Sequence, residues 1–381
     1  MSELEPALVE RVRRRVVESG AAPTPGRVAA AFRQEGGLRG DAAGVVAALT
    51  SEIVGAGPLA GLLADAATTD VLVNAPDEVW VDRGEGLSRT SVRFTDENAV
   101  RRLAQRMAAT AGRRLDDAQP WVDAQLPGGV RLHAILPPLA PAGTCVSLRV
   151  PRRRVFSLAE LVSAGTVPVD GADLLRRLVR SRTAFLVTGG TGSGKTTVLS
   201  ALLSLIDSGE RLVIVEDASE LRPSVDHVVR LESRPANLEG SGGVSLHDLV
   251  RQALRMRPDR LVVGEVRGEE VVDLLAALNT GHEGGCGTLH ANSAADVPAR
   301  LEALAAPAGL ARDALHSQLA SALRVVVHLT RTNGVRRVAE VCVLVRDGSE
   351  RVSTRLAWSW DGCAQSGRAG PAAAELSGLL R

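Results

Sequence analysis

The sequence predicts an α/β fold: a mainly parallel sheet covered by helices on both faces, preceded by a smaller α/β domain and a short helical segment. Three observations predict it. Four short apolar runs, AFLVT (184–188), LVIVE (212–216), RLVVG (260–264) and CGTLH (286–290), are separated by stretches long enough for crossover helices. A glycine-rich segment joins the first of these runs to a helical one. The 381 residues exceed what one hydrophobic core usually organises, so a second domain is expected.

Taken in order, residues 1–50 alternate Ala-rich amphipathic stretches with a Pro/Gly break at Ala22–Gly26, which reads as short helices around a loop. Residues 51–150 read as the small α/β domain. TDVLVNAPDEVWVD gives two short strands around Asn74–Asp77, and ENAVRRLAQRMAATAG carries apolar positions at helical spacing and ends on Gly112. The basic run at Pro151–Arg154 breaks the pattern, so residues 151–157 are the expected linker; a solvated turn explains that run more simply than a phosphate or lipid contact. Residues 158–346 hold the sheet-forming runs. There Ser245 with Asp248 opens SLHDLVRQALRM as a capping box that Pro258 stops, and Ser293 with Asp296 repeats the device before VPARLEAL. Asn333-Gly334 between two β-rich runs is a hairpin signal. Residues 347–381 are polar and Gly/Ser-rich and are expected to form a peripheral tail.

Composition excludes several classes. With 45 basic and 44 acidic side chains the formal charge is +1, which offers no global attraction to nucleic acid or an acidic membrane. Aromatics are 2% of residues and tyrosine is absent, so base-stacking platforms are not expected and neither is direct nucleic-acid binding. Cys145, Cys286, Cys342 and Cys363 have no paired spacing, which suggests neither a disulfide framework nor a zinc clip and fits a reducing cytoplasm. No stretch reaches the roughly 18 uninterrupted apolar residues of a membrane span, so any membrane association is expected to be peripheral. Arginine fills every basic position but one: the single lysine is Lys195.

Lys195 sits in residues 189–196, GGTGSGKT, a complete G-x-x-x-x-G-K-[ST] pattern placed after a strand and before a helix. Gly189, Gly190, Thr191, Gly192, Ser193 and Gly194 let successive backbone N–H groups point inward at phosphate oxygens. Thr196 and Thr197 open the helix, whose N-terminus adds its positive dipole end. The pattern places the Lys195 ammonium on the β- and γ-phosphates of ATP and the Thr196 hydroxyl on Mg²⁺. Arginine is too wide to replace a compact point charge there.

Two acidic strand ends follow. Glu216 and Asp217 close LVIVED, and Glu265 closes RLVVGE; in an open parallel sheet the carboxyl ends of strands form the ligand crevice. Such a carboxylate can hold Mg²⁺ or handle the attacking water, though it can also serve as a cap or pair with an arginine such as Arg222 or Arg267. Residue pattern alone does not separate the two glutamates; Glu265 is taken as the chief carboxylate near metal and water, with Glu216 assisting. His290 ends the strand in GTLHANS and can donate to the γ-phosphate. His282, on a Gly-rich loop, is an even choice, while His227, His247, His316 and His328 read as structural or surface residues.

Together GGTGSGKTT, LVIVEDASEL, LRMRPDRLVVGEVRG and NTGHEGGCGTLHANS resemble the Walker A, Asp, Walker B and His boxes of the ATPases of type II and type IV secretion and pilus assembly. TDVLVNAPDEVWVD, AGRRLDDAQPWVDAQLP and VRLHAILPPLAP resemble the tight-adherence (Flp) pilus subgroup, alongside conjugal-transfer relatives. The resemblance implies a RecA-like motor domain behind an N-terminal sensor-like domain, a ring of six subunits beneath an inner-membrane platform at the cytoplasmic face, and use of ATP with Mg²⁺. It assigns phosphate contacts to Arg131, in VRLHA, and Arg149, in VSLRV, and roles to Lys195, Thr196, Glu216, Glu265 and His290. Departures are Gln125 where the family has arginine, and Val150 and Pro151 after Arg149; the four-cysteine zinc module of the type II branch is absent. The expected activity is ATP hydrolysis powering pilus assembly or secretion. The same motor serving conjugal transfer is one alternative, and a slow-cycling nucleotide-dependent scaffold is an alternative of another class.

Overall fold

The structure is a computed structural model that describes residues 8, 11–12, 14–16, 24–35, 45–46, 49–50, 55–84, 86–151, 155–234, 236, 241–281, 283–348 and 350–381. Most of the expected N-terminal helical segment, the arginines of the basic run and His282 lie outside these residues. The chain divides into two compact units, Met1–Arg152 and Arg153–Arg381.

The first unit is built on six strands: β1 (Asp70–Ala75), β2 (Glu78–Asp82), β3 (Leu87–Arg89), β4 (Trp121–Gln125), β5 (Arg131–Ile135) and β6 (Cys145–Arg149). They pair antiparallel in the order β3-β2-β1-β6-β5-β4. Alternation along β1, β2, β5 and β6 buries Val71, Val73, Val79, Val81, Leu132, Ala134, Val146 and Leu148 on one face. The helix Glu97–Thr110 covers that face with Val100, Leu103, Ala104 and Met107, and its N-cap is the Asp96 side chain accepting from Ala99 N–H. Gly112, at φ +67, follows its C-cap.

The second unit carries β7 (Phe185–Gly189), β8 (Leu212–Glu216), β9 (Val228–Glu232), β10 (Arg260–Val266), β11 (Cys286–His290), β12 (Val325–Thr332), β13 (Val335–Arg346), β14 (Val352–Ser359) and β15 (Arg368–Ala369). The sheet order is β15-β14-β13-β12-β7-β11-β10-β8-β9. From β12 to β9 all neighbours are parallel, and β13 to β15 extend the sheet antiparallel. β7 and β8 are buried at every residue because helices pack on both faces. One face packs Leu175, Leu178, Leu199 and Leu202; the other packs Val250, Leu274, Leu275, Leu301 and Leu319.

Local signals resolve as the chemistry dictates, with two differences. Ser245 and Asp248 form a full capping box on the helix Leu246–Ala253. Ser293 and Asp296 also bond, but Asp296 is itself in helical geometry as the N-cap of Val297–Ala305 and its side chain caps nothing there, so the pair closes a turn before the helix. The second difference is the expected tail: residues after Asp347 contribute β14, β15 and the helix Ala373–Leu379. Val352, Ala357, Trp358 and Leu376 are buried in the two cores, and burial of those side chains holds the segment to the sheet.

Candidate active site

Five residues separate β7 from the helix Lys195–Leu203, and they form a loop that only glycine permits at its turns. Gly194 has φ +96, and a Cβ on Gly189 would stand 2.4 Å from the Leu329 carbonyl oxygen and 2.7 Å from Ser193 Oγ. The Lys195 ammonium folds back over the loop, donating to Gly189 O at 3.1 Å and Gly190 O at 3.0 Å. Its Nζ is also 3.4 Å and 3.3 Å from the two ring nitrogens of His290, and His290 Nε2 stands 2.8 Å from Glu265 Oε1. Lysine, histidine and glutamate thus meet from three different elements because β7, β11 and β10 are adjacent parallel strands ending at one edge.

Burial depresses the Lys195 pKa, while the carboxylates of Glu265 and Glu220 work to raise it. His290 is held below the usual imidazole range, first by burial and then by the Lys195 charge, against the opposing pull of Glu265. Glu216 is different from Glu265. Only 4% of it is exposed, and burial pushes its pKa up to about 7, although its Oε1 accepts backbone N–H bonds from Glu220 at 3.0 Å and Leu221 at 2.9 Å. Its neighbour Asp217 takes the ion-pair option, binding Arg267 at 2.5 Å and accepting from Ser233 Oγ at 2.7 Å.

The residues fit a phosphate ligand. Ser193 Oγ is buried with no hydrogen-bond partner among the described residues, and the ammonium rests on neutral carbonyls although a compact cation favours an anion. Thr196 and Glu265 supply hard oxygen donors of the kind Mg²⁺ takes beside bound phosphates, where the ion would supply charge neutralisation. Among the described residues no cluster of three or more His, Cys, Asp or Glu forms a separate metal site. No helix among them is long and apolar enough to cross a membrane.

Lys195, Glu216, Glu265 and His290 are brought to the same end of the second sheet. Arg131 and Arg149 belong to the first unit, where they are register partners on β5 and β6; Arg149 Nε bonds Asp70 Oδ1 at 3.2 Å, and Gln125 pairs with Arg131. Sequence reasoning missed Arg331 and Arg336, which stand beside the glycine loop. Arg336 Nε donates to Gly192 O at 2.9 Å across 144 residues, a proximity no local pattern encodes.

The parallel strand order and a glycine loop feeding a helix define a RecA-like P-loop domain. A family model described as Type II/IV secretion system protein matches residues 52–374, and the chain belongs to that family. It is 59% identical over 320 residues to the putative conjugal transfer protein Rv3659c of Mycobacterium tuberculosis, covering 82% of this chain and 91% of the relative. It is 32% identical over 286 residues to the conjugal transfer protein TrbB of Rhizobium radiobacter, covering 73% and 84%. The solved structure of the pilus retraction motor PilT with bound ADP shares the fold, with a TM-score of 0.51 at 20% identity over 82% of each chain.

Proposed function

We propose that the chain hydrolyses ATP in a Mg²⁺-dependent reaction and couples it to secretion or pilus assembly. The observation that carries this reading is the chain of contacts that runs from the sole lysine to His290, at 3.3 Å, and from His290 to Glu265, at 2.8 Å, along the lip of a phosphate-type loop. The amides of Gly189–Thr197 cradle the phosphates, and Lys195 exchanges its loop carbonyls for the β- and γ-phosphate oxygens. Thr196 and Glu265 would hold the metal, whose charge would offset that of the phosphates. Glu216, with a pKa of about 7, accepts the proton of the attacking water, since a base is most effective when its pKa lies near the working pH. His290 donates to the γ-phosphate. Arg131 and Arg149 enter as phosphate contacts through the family resemblance.

In this reading the working form is a ring of six at the cytoplasmic face of the membrane, docked on inner-membrane platform proteins. The N-terminal motifs favour tight-adherence pilus assembly. A second reading, conjugal transfer of DNA or protein, is favoured by the name of the 59% identical mycobacterial relative; copurifying pilin and platform proteins support the first and relaxase-type partners the second.

Phosphate release measured alongside oligomer mass, with and without nucleotide, tests the proposal. Turnover in an assembled ring and its loss in Lys195→Ala are expected. Near-normal turnover in that variant would refute the site, and an assembled wild type that binds ATP without turnover would favour a scaffold.

A further inference from the structure

The proposed chemistry uses one side of the glycine loop, and the other side is walled by a hairpin. β12 and β13 turn through Asn333 and Gly334, with φ values of +51 and +79, which sets Arg331 opposite Arg336. Arg336 Nε holds the Gly192 carbonyl at 2.9 Å. A Cβ added at Gly192 would stand 3.2 Å from Arg331 Nη1, and one at Gly194 would stand 3.2 Å from Arg336 Cδ. Like charges facing each other across paired strands repel. The Arg331 guanidinium nevertheless has no hydrogen bond or ion pair with any described residue, while it lies against a loop shaped to receive an anion.

Sheet order decides which end of a nucleotide these arginines meet. Glu265 and His290 end β10 and β11 on one flank of β7, and β12 is the neighbour on the opposite flank. In the reading above Lys195, His290 and Glu265 mark the γ-phosphate. The hairpin therefore borders the α-phosphate and nucleoside end, which ADP and ATP have in common.

We propose that Arg331 is a nucleotide-binding residue for the diphosphate shared by ADP and ATP, and that Arg336 is a positioning residue that fixes the loop through Gly192. The proposal rests on the ATPase reading. A contact made equally to substrate and product is uniform binding, so its loss raises KM and spares kcat.

The test uses the full chain, with a fluorescent ADP analogue for binding and phosphate release for turnover. Arg331→Ala is expected to weaken ADP and raise the KM for ATP together, each roughly tenfold as suits one charge-assisted contact, with kcat changed less than about twofold. Arg331→Lys keeps the charge and recovers part of the loss. Arg336→Ala weakens both nucleotides in the same proportion, and Arg336→Lys, which keeps a donor for the Gly192 carbonyl, restores part of the affinity. Unchanged ADP affinity in Arg331→Ala, or a fall in kcat at constant KM, overturns the assignment. If the wild type binds and hydrolyses ATP and Arg331→Ala matches it, only this inference fails. If the wild type does neither, the ATPase reading fails and takes this one with it.

Discussion

Glu216 lies across Gly264: a Cβ at Gly264 would stand 2.5 Å from Glu216 Cγ and 3.1 Å from its Oε1. The glutamate at the end of β8 keeps its place because its neighbour on β10 has no side chain. Gly264→Ala is therefore expected to push the carboxylate aside while the strand remains, since only the facing side chain has to move. The expected result is a fall in kcat on the order of tenfold or more, because a displaced reacting group costs heavily in rate. Steady-state kinetics with a circular dichroism melt checks it; full activity would separate Glu216 from the chemistry.

Activity should rise with pH through about 7. That is where the Glu216 carboxyl, raised from 4.5 by burial, loses its proton and becomes able to accept one. Stability should move the other way. A carboxyl whose folded pKa exceeds its unfolded value favours the fold fully below about 4.5 and loses that contribution as pH climbs through about 7. Glu216→Gln should remove both trends, seen as a flattened kcat profile and a smaller decline in Tm over that window. A kcat profile with the same inflection in the variant would assign the titration to another group.

The opposite end of the sheet carries a buried ion pair. Arg260, 3% exposed, donates to both oxygens of Glu210, at 2.8 Å and 3.1 Å, and to Val179 O at 2.9 Å. Glu210→Ala leaves that guanidinium without its carboxylate and should cost about 3 kcal/mol. Glu210→Ala combined with Arg260→Met should recover much of it, and urea denaturation of the parent and the two variants decides.

At Ser245 the hydroxyl accepts the Asp248 N–H while the Asp248 carboxylate accepts the Ser245 N–H. Ser245→Ala should lower stability by about 1 kcal/mol, and it should leave the KM for ATP unchanged. A Tm equal to that of the parent would show that the cap contributes nothing measurable.

What could be read in advance was local. The run from Gly189 to Thr196 declares its loop because its demands on backbone and charge fall within eight consecutive residues. The turn at Asn333-Gly334 likewise needs only two positive φ values. The difference between the two glutamates was not readable: it arises from burial of Glu216 and from Gly264, a neighbour only once β8 and β10 pair. β14 was missed because VSTRLAWS mixes polar and apolar residues. Its strand character comes from pairing with β13 and from burial of Val352, Ala357 and Trp358. Arg331 and Arg336 were hidden for the same reason, since their approach to the loop follows from the register of Leu329 against Gly189.

The solitary lysine has a practical corollary for labelling. Lys195 is 7% exposed and its pKa is depressed by burial, so a larger share of it is the free amine at neutral pH than for an ordinary lysine. An acylating reagent small enough to enter the loop has one side-chain amine in the whole chain to find. The mass of an adduct mapped to Lys195, as distinct from one at the α-amino group, and its suppression by nucleotide would report occupancy of the glycine loop without any engineered tag.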